Sequence, residues 1–264
     1  MKPKNLTHHR VNTIPYFAHP KKGLVFLFER KDPKFKAPFQ EGGFNGIGGN
    51  FFGDMKHLSP QETIGVEINE EFWLSEEMRE SYGDITNGAF EDTSREGFVI
   101  QPTKERVNLA RKIGDIISAP EYAFTAVETY QPPFSKNVSS NAVTIFTQNL
   151  SEGEFLFIDK SLKENDFVMR TDDHRYGGTQ TRGISLETIN GRGGISPKFS
   201  WAFGYHLDKA INGGFIYGAT DKEKETGVVR TMNPRLFRLE KLDLDSECPT
   251  YEKMKSLGFD YSRK

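Results

Sequence analysis

Closely spaced carboxylates are the most plainly written chemistry in this 264-residue chain. Near the C-terminus, Asp221-Lys222-Glu223-Lys224-Glu225-Thr226-Gly227 sets two glutamates two positions apart on a polar turn. The apolar run Phe215-Ile216-Tyr217 precedes this turn and the extended run Val228-Val229 follows it. In an extended segment positions i and i+2 point the same way, so Glu223 and Glu225 are expected to project together into a cleft at the end of a sheet. Two aligned carboxylates can hold a ribose hydroxyl and stabilise a developing sugar cation. The plainer reading of the same residues is a solvated hairpin turn. A second acidic group, Val66-Glu67-Ile68-Asn69-Glu70-Glu71, follows Gly48-Gly49 and Asp54. On a helix Glu67 shares a face with Glu70 and Glu71. Three carboxylates so spaced suffice for Mg²⁺, which takes hard oxygen ligands and bridges to substrate phosphates.

Upstream of the paired glutamates stands Phe167-Val168-Met169-Arg170-Thr171-Asp172-Asp173-His174-Arg175, then Gly177-Gly178, Thr181-Arg182-Gly183 and Gly193-Gly194-Ile195-Ser196. An arginine, a serine, a helix, an apolar strand and Glu-x-Glu in this order resemble the Arg-Ser-Glu class of bacterial mono-ADP-ribosyltransferases. That class includes the catalytic subunits of cholera- and pertussis-type toxins. The resemblance covers residues 165–242, under a third of the chain. It implies an ADP-ribosyltransferase-like C-terminal core that transfers ADP-ribose from NAD to a side chain of a target protein and releases nicotinamide. In those terms Arg170 would clamp the pyrophosphate of NAD through paired donors. Ser196 would bind NAD and fix the glutamate rotamer, and Tyr217 would pack near the nicotinamide. Glu225 would stabilise the oxocarbenium-like transition state, and Glu223 would orient or deprotonate the acceptor. The chain departs from the family pattern in having Met169 before the arginine and Ile195-Ser196-Pro197 in place of a Ser-Thr-Ser strand. A partial N-terminal echo from Val25 to Phe44 carries Leu27 in the arginine position.

The second acidic group resembles the Nudix box of enzymes that cleave nucleoside diphosphates linked to another group. This resemblance implies a Mg²⁺-dependent hydrolase using Glu67, Glu70 and Glu71. Here Val66 stands where the box has an arginine, Trp73 where it has a terminal glycine, and the loop before the helix is longer. A solvated acidic helix face accounts for the same residues without a function. A third reading, a non-enzymatic interaction domain, corresponds to a transferase fold without its arginine clamp.

These groups need elements to hold them, and local signals predict an α+β chain of mixed sheets with a few packed helices. Ser59-Pro60-Gln61-Glu62 supplies an N-cap, a proline at the first helical position and a capping-box glutamate. Ile64, Ile68 and Phe72 continue the pattern as one buried stripe, so a helix is expected from 60 into the low 70s. A second helix is expected over 104–118 and a third over 199–211, the latter stopped by Asn212-Gly213-Gly214. Strands are expected at 23–28, 141–147, 154–158, 215–219 and 235–242. Residues 41–50 read as a glycine-rich loop, 170–198 as loops with short strands, and 1–20 as an irregular arm with His8 and His9 exposed. The expected organisation is a helix-containing portion over 1–160, suited to target recognition, and the transferase-like core over 161–264.

Composition narrows the partners. Lys+Arg total 35 against 37 Asp+Glu, a net charge of −2, so no general attraction to nucleic acid or anionic membrane is expected. The mean hydropathy of −0.60 is polar, and 22 phenylalanines provide large units for a core. Cys248 is the single cysteine, which excludes an internal disulfide and a cysteine-rich zinc site. No apolar run approaches the ~20 residues of a membrane span. The sequence therefore reads as a soluble protein of the cytosol, or one delivered into a host cytosol.

Overall fold

The computed structural model describes residues 6–31, 43–51, 59–72, 104–130, 139–164, 168–173, 178–189, 199, 203–226, 237–241 and 247–256. Their order along the chain begins β1 (Leu6–His19), β2 (Gly23–Lys31), β3 (Phe44–Asn45), β4 (Ile47–Phe51) and α1 (Pro60–Glu71). Next come α2 (Lys104–Ile116), β5 (Glu121–Tyr130), β6 (Ser139–Asn149), α3 (Glu152–Glu164), β7 (Val168–Asp173) and β8 (Gly178–Thr188). The series ends with α4 (Phe203–Asn212), α5 (Asp221–Thr226), β9 (Phe237–Lys241) and α6 (Tyr251–Ser256). The fold is α+β, as expected. Among the described residues the strands form one mixed nine-stranded sheet in the order β7-β8-β2-β1-β6-β5-β9, with β3 added to β2 and β4 to β1. Strands from both sides of position 160 share this sheet.

Residues 6–19 are no irregular arm. They form the strand that joins the two halves of the sheet, running parallel to β6 on one edge from Leu6 to Tyr16. The other edge is divided: β4 pairs antiparallel with His9 to Thr13, and β2 pairs antiparallel with Tyr16 to His19. Pro15 stands in the gap between these two partners, where its missing N–H interrupts neither ladder. Both faces of the strand are covered, so Asn12, Thr13 and His9 are buried alongside Val11, Ile14 and Tyr16. Polar residues at buried positions hid the strand from hydropathy patterning, which reads burial through apolar side chains.

A core lies on each face. Ile14, Tyr16, Leu24, Phe26, Phe28, Phe124 and Ile145 pack with Phe203, Leu207, Ala210 and Ile211 of α4. On the opposite face Val11, Leu27, Ile47 and Phe146 pack with Ile64, Ile68 and Phe72 at α1, Ala110 and Ile113 of α2, and Ile158 of α3. The stripe expected on α1 is thus the buried face of that helix.

Other expectations are corrected. The apolar stretch 154–158 belongs to helix α3. Ser151 and Glu154 cap it reciprocally: Glu154 accepts from the Ser151 backbone at 2.7 Å, and the Glu154 backbone donates to the serine hydroxyl at 3.3 Å. Phe155 and Ile158 face inward while Leu156 is exposed, a helical periodicity inside what reads as a short apolar run. The stretch 170–198, expected as loops with short strands, contains most of the hairpin β7–β8. Part of the expected loop 41–50 forms β3 and β4. The expected strand 215–219 is instead a turn folding back on α4, where the backbones of Phe215 and Ile216 both donate to the Ala210 carbonyl. Gly214, at φ 79°, makes that reversal in the left-handed region. Among the described residues no helix is long and apolar enough to cross a membrane.

Candidate functional site

Of the C-terminal constellation, the structure describes the side chains of Glu223 and Tyr217. Glu223 lies on α5, a helical turn rather than an extended segment. Residues two apart on a helix sit on opposite sides of its axis, so the shared direction expected of Glu223 and Glu225 is lost. The local cause is Thr220, which caps the turn. Its backbone and hydroxyl each donate to Glu223 Oε2 at 2.8 Å, and the Glu223 backbone donates to the threonine hydroxyl at 3.3 Å. The other carboxylate oxygen accepts from the Leu24 backbone at 2.6 Å. A Cβ on Gly23, which has φ +74°, would stand 2.3 Å from Glu223 Oε1, so only glycine admits the carboxylate there. Glu223 is buried, and its hydrogen bonds latch α5 to the β1–β2 hairpin. A Thr-x-x-Glu capping pattern was the available signal for this outcome.

Arg170 stands on β7 opposite Thr181. Because β8 pairs with β2 through Arg182 and Lys31, that position lies beside the far end of β2 from Gly23. At about 3.3 Å per residue the separation from Glu223 along the sheet is roughly 25 Å. Tyr217 is 68% exposed, and its backbone donates to the Tyr16 hydroxyl at 3.1 Å. Ser196 and the side chains of Arg170 and Glu225 lie outside the described residues.

The N-terminal constellation is built more closely. Gly48 and Gly49 are the middle of β4, and α1 follows after the connection 52–58. The helix starts where the capping signal predicts: Glu62 accepts from the Ser59 backbone at 2.6 Å, and the Glu62 backbone donates to the Ser59 hydroxyl at 3.2 Å. Those hydrogen bonds, first from the Ser59 backbone and then from its hydroxyl, hold the Glu62 carboxyl below the usual range. Gly48, at φ 149°, lies so near β1 that a Cβ would stand 2.2 Å from the Val11 carbonyl oxygen. At Gly49 a Cβ would stand 2.0 Å from Glu67 Oε2 and 2.5 Å from Oε1. The half-buried Glu67 carboxylate therefore rests directly on the Gly49 backbone. Glu70 and Glu71 occupy positions one turn further along the same helix, and their side chains lie outside the described residues. Among the described residues no group of three His, Cys, Asp or Glu side chains is gathered for a metal.

Beside β4 lies a residue expected to be exposed. His9, opposite Phe51 in the β1–β4 register, is buried. Its ring lies 5.1 Å from that of Phe51, and Nε2 is 2.8 Å from the Thr144 hydroxyl. Thr144 meets Thr125 at 3.0 Å, and Tyr122 donates to Thr125 at 3.3 Å, so a polar row crosses β1, β6 and β5 inside the core. Burial drives the His9 pKa down to about 3, which keeps the imidazole neutral. No protein-family model matches this chain, and no curated protein does.

Two measurements check these assignments. Glu223→Ala leaves the Leu24 and Thr220 donors without their acceptor and should lower the unfolding free energy by about 1–3 kcal/mol, read from urea denaturation. The His9 prediction concerns acid. With a folded pKa of about 3 below an unfolded value near 6.5, the unfolded state binds the extra proton between them. Its stabilising contribution is therefore complete above the unfolded value and falls as pH drops toward the folded one, by up to about 1.4 kcal/mol per pH unit. His9→Gln should remove that one-proton slope from the stability profile.

Proposed function

We propose that this chain is a divalent-cation-dependent hydrolase of diphosphate linkages, of the Nudix kind, acting on nucleoside diphosphate derivatives. The observation that carries the reading is the contact between Glu67 and Gly49. A carboxylate pressed on a glycine backbone is held close to the strand, in a box where Val66 takes the place of the family's arginine. It also ties the helix bearing Glu67, Glu70 and Glu71 to the glycine-rich strand before it. Carboxylates at i, i+3 and i+4 of one helix are the hard oxygen donors that Mg²⁺ takes. Glu70 and Glu71 would hold the ion. Bound there, it would neutralise charge on the diphosphate and lower the pKa of water.

The remaining chemistry belongs to the chain. Glu67 takes the proton of a water molecule as its oxygen attacks phosphorus. One P–O bond forms, the bridging P–O bond breaks, and the leaving phosphate departs with its electron pair. The close fit to Gly49 limits the rotamers of Glu67, so little reorganisation accompanies proton transfer. Transfer of ADP-ribose from NAD to a target protein, the other reading of this sequence, needs Arg170 and the paired glutamates at one cleft. The Glu223 latch and the separation of strand positions weigh against it.

NAD itself separates the two chemistries, since each breaks a different bond. With Mg²⁺ and NAD, diphosphate hydrolysis yields AMP and nicotinamide mononucleotide, whereas transfer or glycohydrolysis releases free nicotinamide. Chromatography of the products should show the first pair, or show cleavage of another nucleoside diphosphate derivative such as ADP-ribose. Nicotinamide release with no diphosphate cleavage would overturn the proposal. Glu67→Gln should lower kcat by about 10²–10⁴-fold with KM little changed. Gly49→Ala should fold normally, because the Glu67 side chain can swing aside, yet lose activity by more than about tenfold.

A further inference from the structure

The short helix α6 and the residues leading into it clasp both ends of the connection between β4 and α1. At one end the Cys248 thiol meets the backbone of Gln61 in the first turn of α1, and burial raises that thiol to about 11. At the other end the Tyr251 ring packs against Phe51, the last residue of β4, with centroids 6.4 Å apart. Thr250 caps α6 by accepting from the Lys253 backbone at 3.2 Å, and Met254, fully buried, pins the helix down. Tyr251 is half-buried, and the Lys255 ammonium lies 6.0 Å from its ring centroid. Phe51 is two residues from Gly49 on the same face of β4, about 6.6 Å along the strand. The aromatic row His9, Phe51 and Tyr251 thus extends outward from beside the Glu67 carboxylate and ends in a partly open ring with a cation near it.

We propose that Tyr251 is the seat of the substrate's nucleobase, and that Lys255 moves from the ring to the substrate's phosphates when the base stacks. This rests on the diphosphate-hydrolase reading above, and it assigns the end of the substrate that the Glu67 site leaves unassigned. Along the row through Phe51 the ring stands two side chains from Gly49, a span on the scale of a nucleoside. An aromatic ring accepts any base face, so the seat selects for nucleosides as a class and not for one base. The ammonium near the ring is the group that a base would displace. It sits on a flexible four-carbon stem at an exposed position, free to follow the phosphates.

Binding tests the seat separately from hydrolysis. Titration calorimetry with Mg²⁺ present should show ADP binding more tightly than inorganic pyrophosphate to the unaltered protein. Tyr251→Leu should weaken ADP binding about ten- to a hundredfold while leaving pyrophosphate binding unchanged, and Tyr251→Phe should restore it. Lys255→Ala should weaken both ligands alike. In turnover, Tyr251→Leu should raise KM for ADP-ribose with kcat nearly constant, and should leave cleavage of a base-free dialkyl diphosphate unaltered. Equal affinity of the unaltered protein for ADP and pyrophosphate would overturn the seat, as would parallel losses for both ligands in Tyr251→Leu. Absence of diphosphate cleavage in a protein that still prefers ADP through Tyr251 would instead sink the hydrolase reading alone.

Discussion

The two-sided pairing of β1 is the constraint on which the other elements depend. One edge of this strand is committed to β6 in parallel over most of its length. The other is shared in sequence by β4 and β2. Because two strands occupy one edge end to end, β2 must leave the edge where β4 begins, and Pro15 marks that boundary. The branching sets the glycine-rich β4 beside β1 with its α1 face open to Glu67. It also carries β2 away to collect β3 and β8. A strand that started in bulk solvent would provide neither the close approach of Gly48 to Val11 nor the burial of His9.

Two glutamates differ in their surroundings for a reason that is geometric. Glu223 accepts three hydrogen bonds from Leu24 and Thr220 and is buried among them. A carboxylate so enclosed stabilises a junction, because removing it would leave buried donors without partners. Glu67 is only half-buried and rests on Gly49, the central residue of β4. Contact with the Gly49 backbone limits its rotamers. Enclosure suits the first to structure, and partial exposure suits the second to chemistry.

Much of the helical architecture was legible because its signals are local. Ser59-Pro60-Gln61-Glu62 marks the start of α1, and Ile64, Ile68 and Phe72 mark its buried side, since capping and periodicity act over one or two turns. The same kind of signal, Ser151 with Glu154 and Thr220 with Glu223, was present at α3 and α5. There it was outweighed by the apolar run Phe155-Leu156-Phe157-Ile158 and by the apparent alternation of Glu223 with Glu225. The strand at 6–19 was illegible for a different reason. Its buried His9, Asn12 and Thr13 carry no hydropathy signal, and their burial depends on elements more than a hundred residues away.

What this sequence determines by itself is therefore the set of helix starts, the apolar stripe of α1, and the presence of glycines and carboxylates near residues 48–71. Those features arise from interactions within a few residues, where the chain needs no distant partner. Tertiary structure alone decided which carboxylate is enclosed, that Gly49 receives Glu67, and that Arg170 and Glu223 stand far apart. Strand pairing joins segments whose separation in sequence says nothing about their distance in space. The same residue types become a latch or a candidate site according to which edge and which face that pairing assigns them.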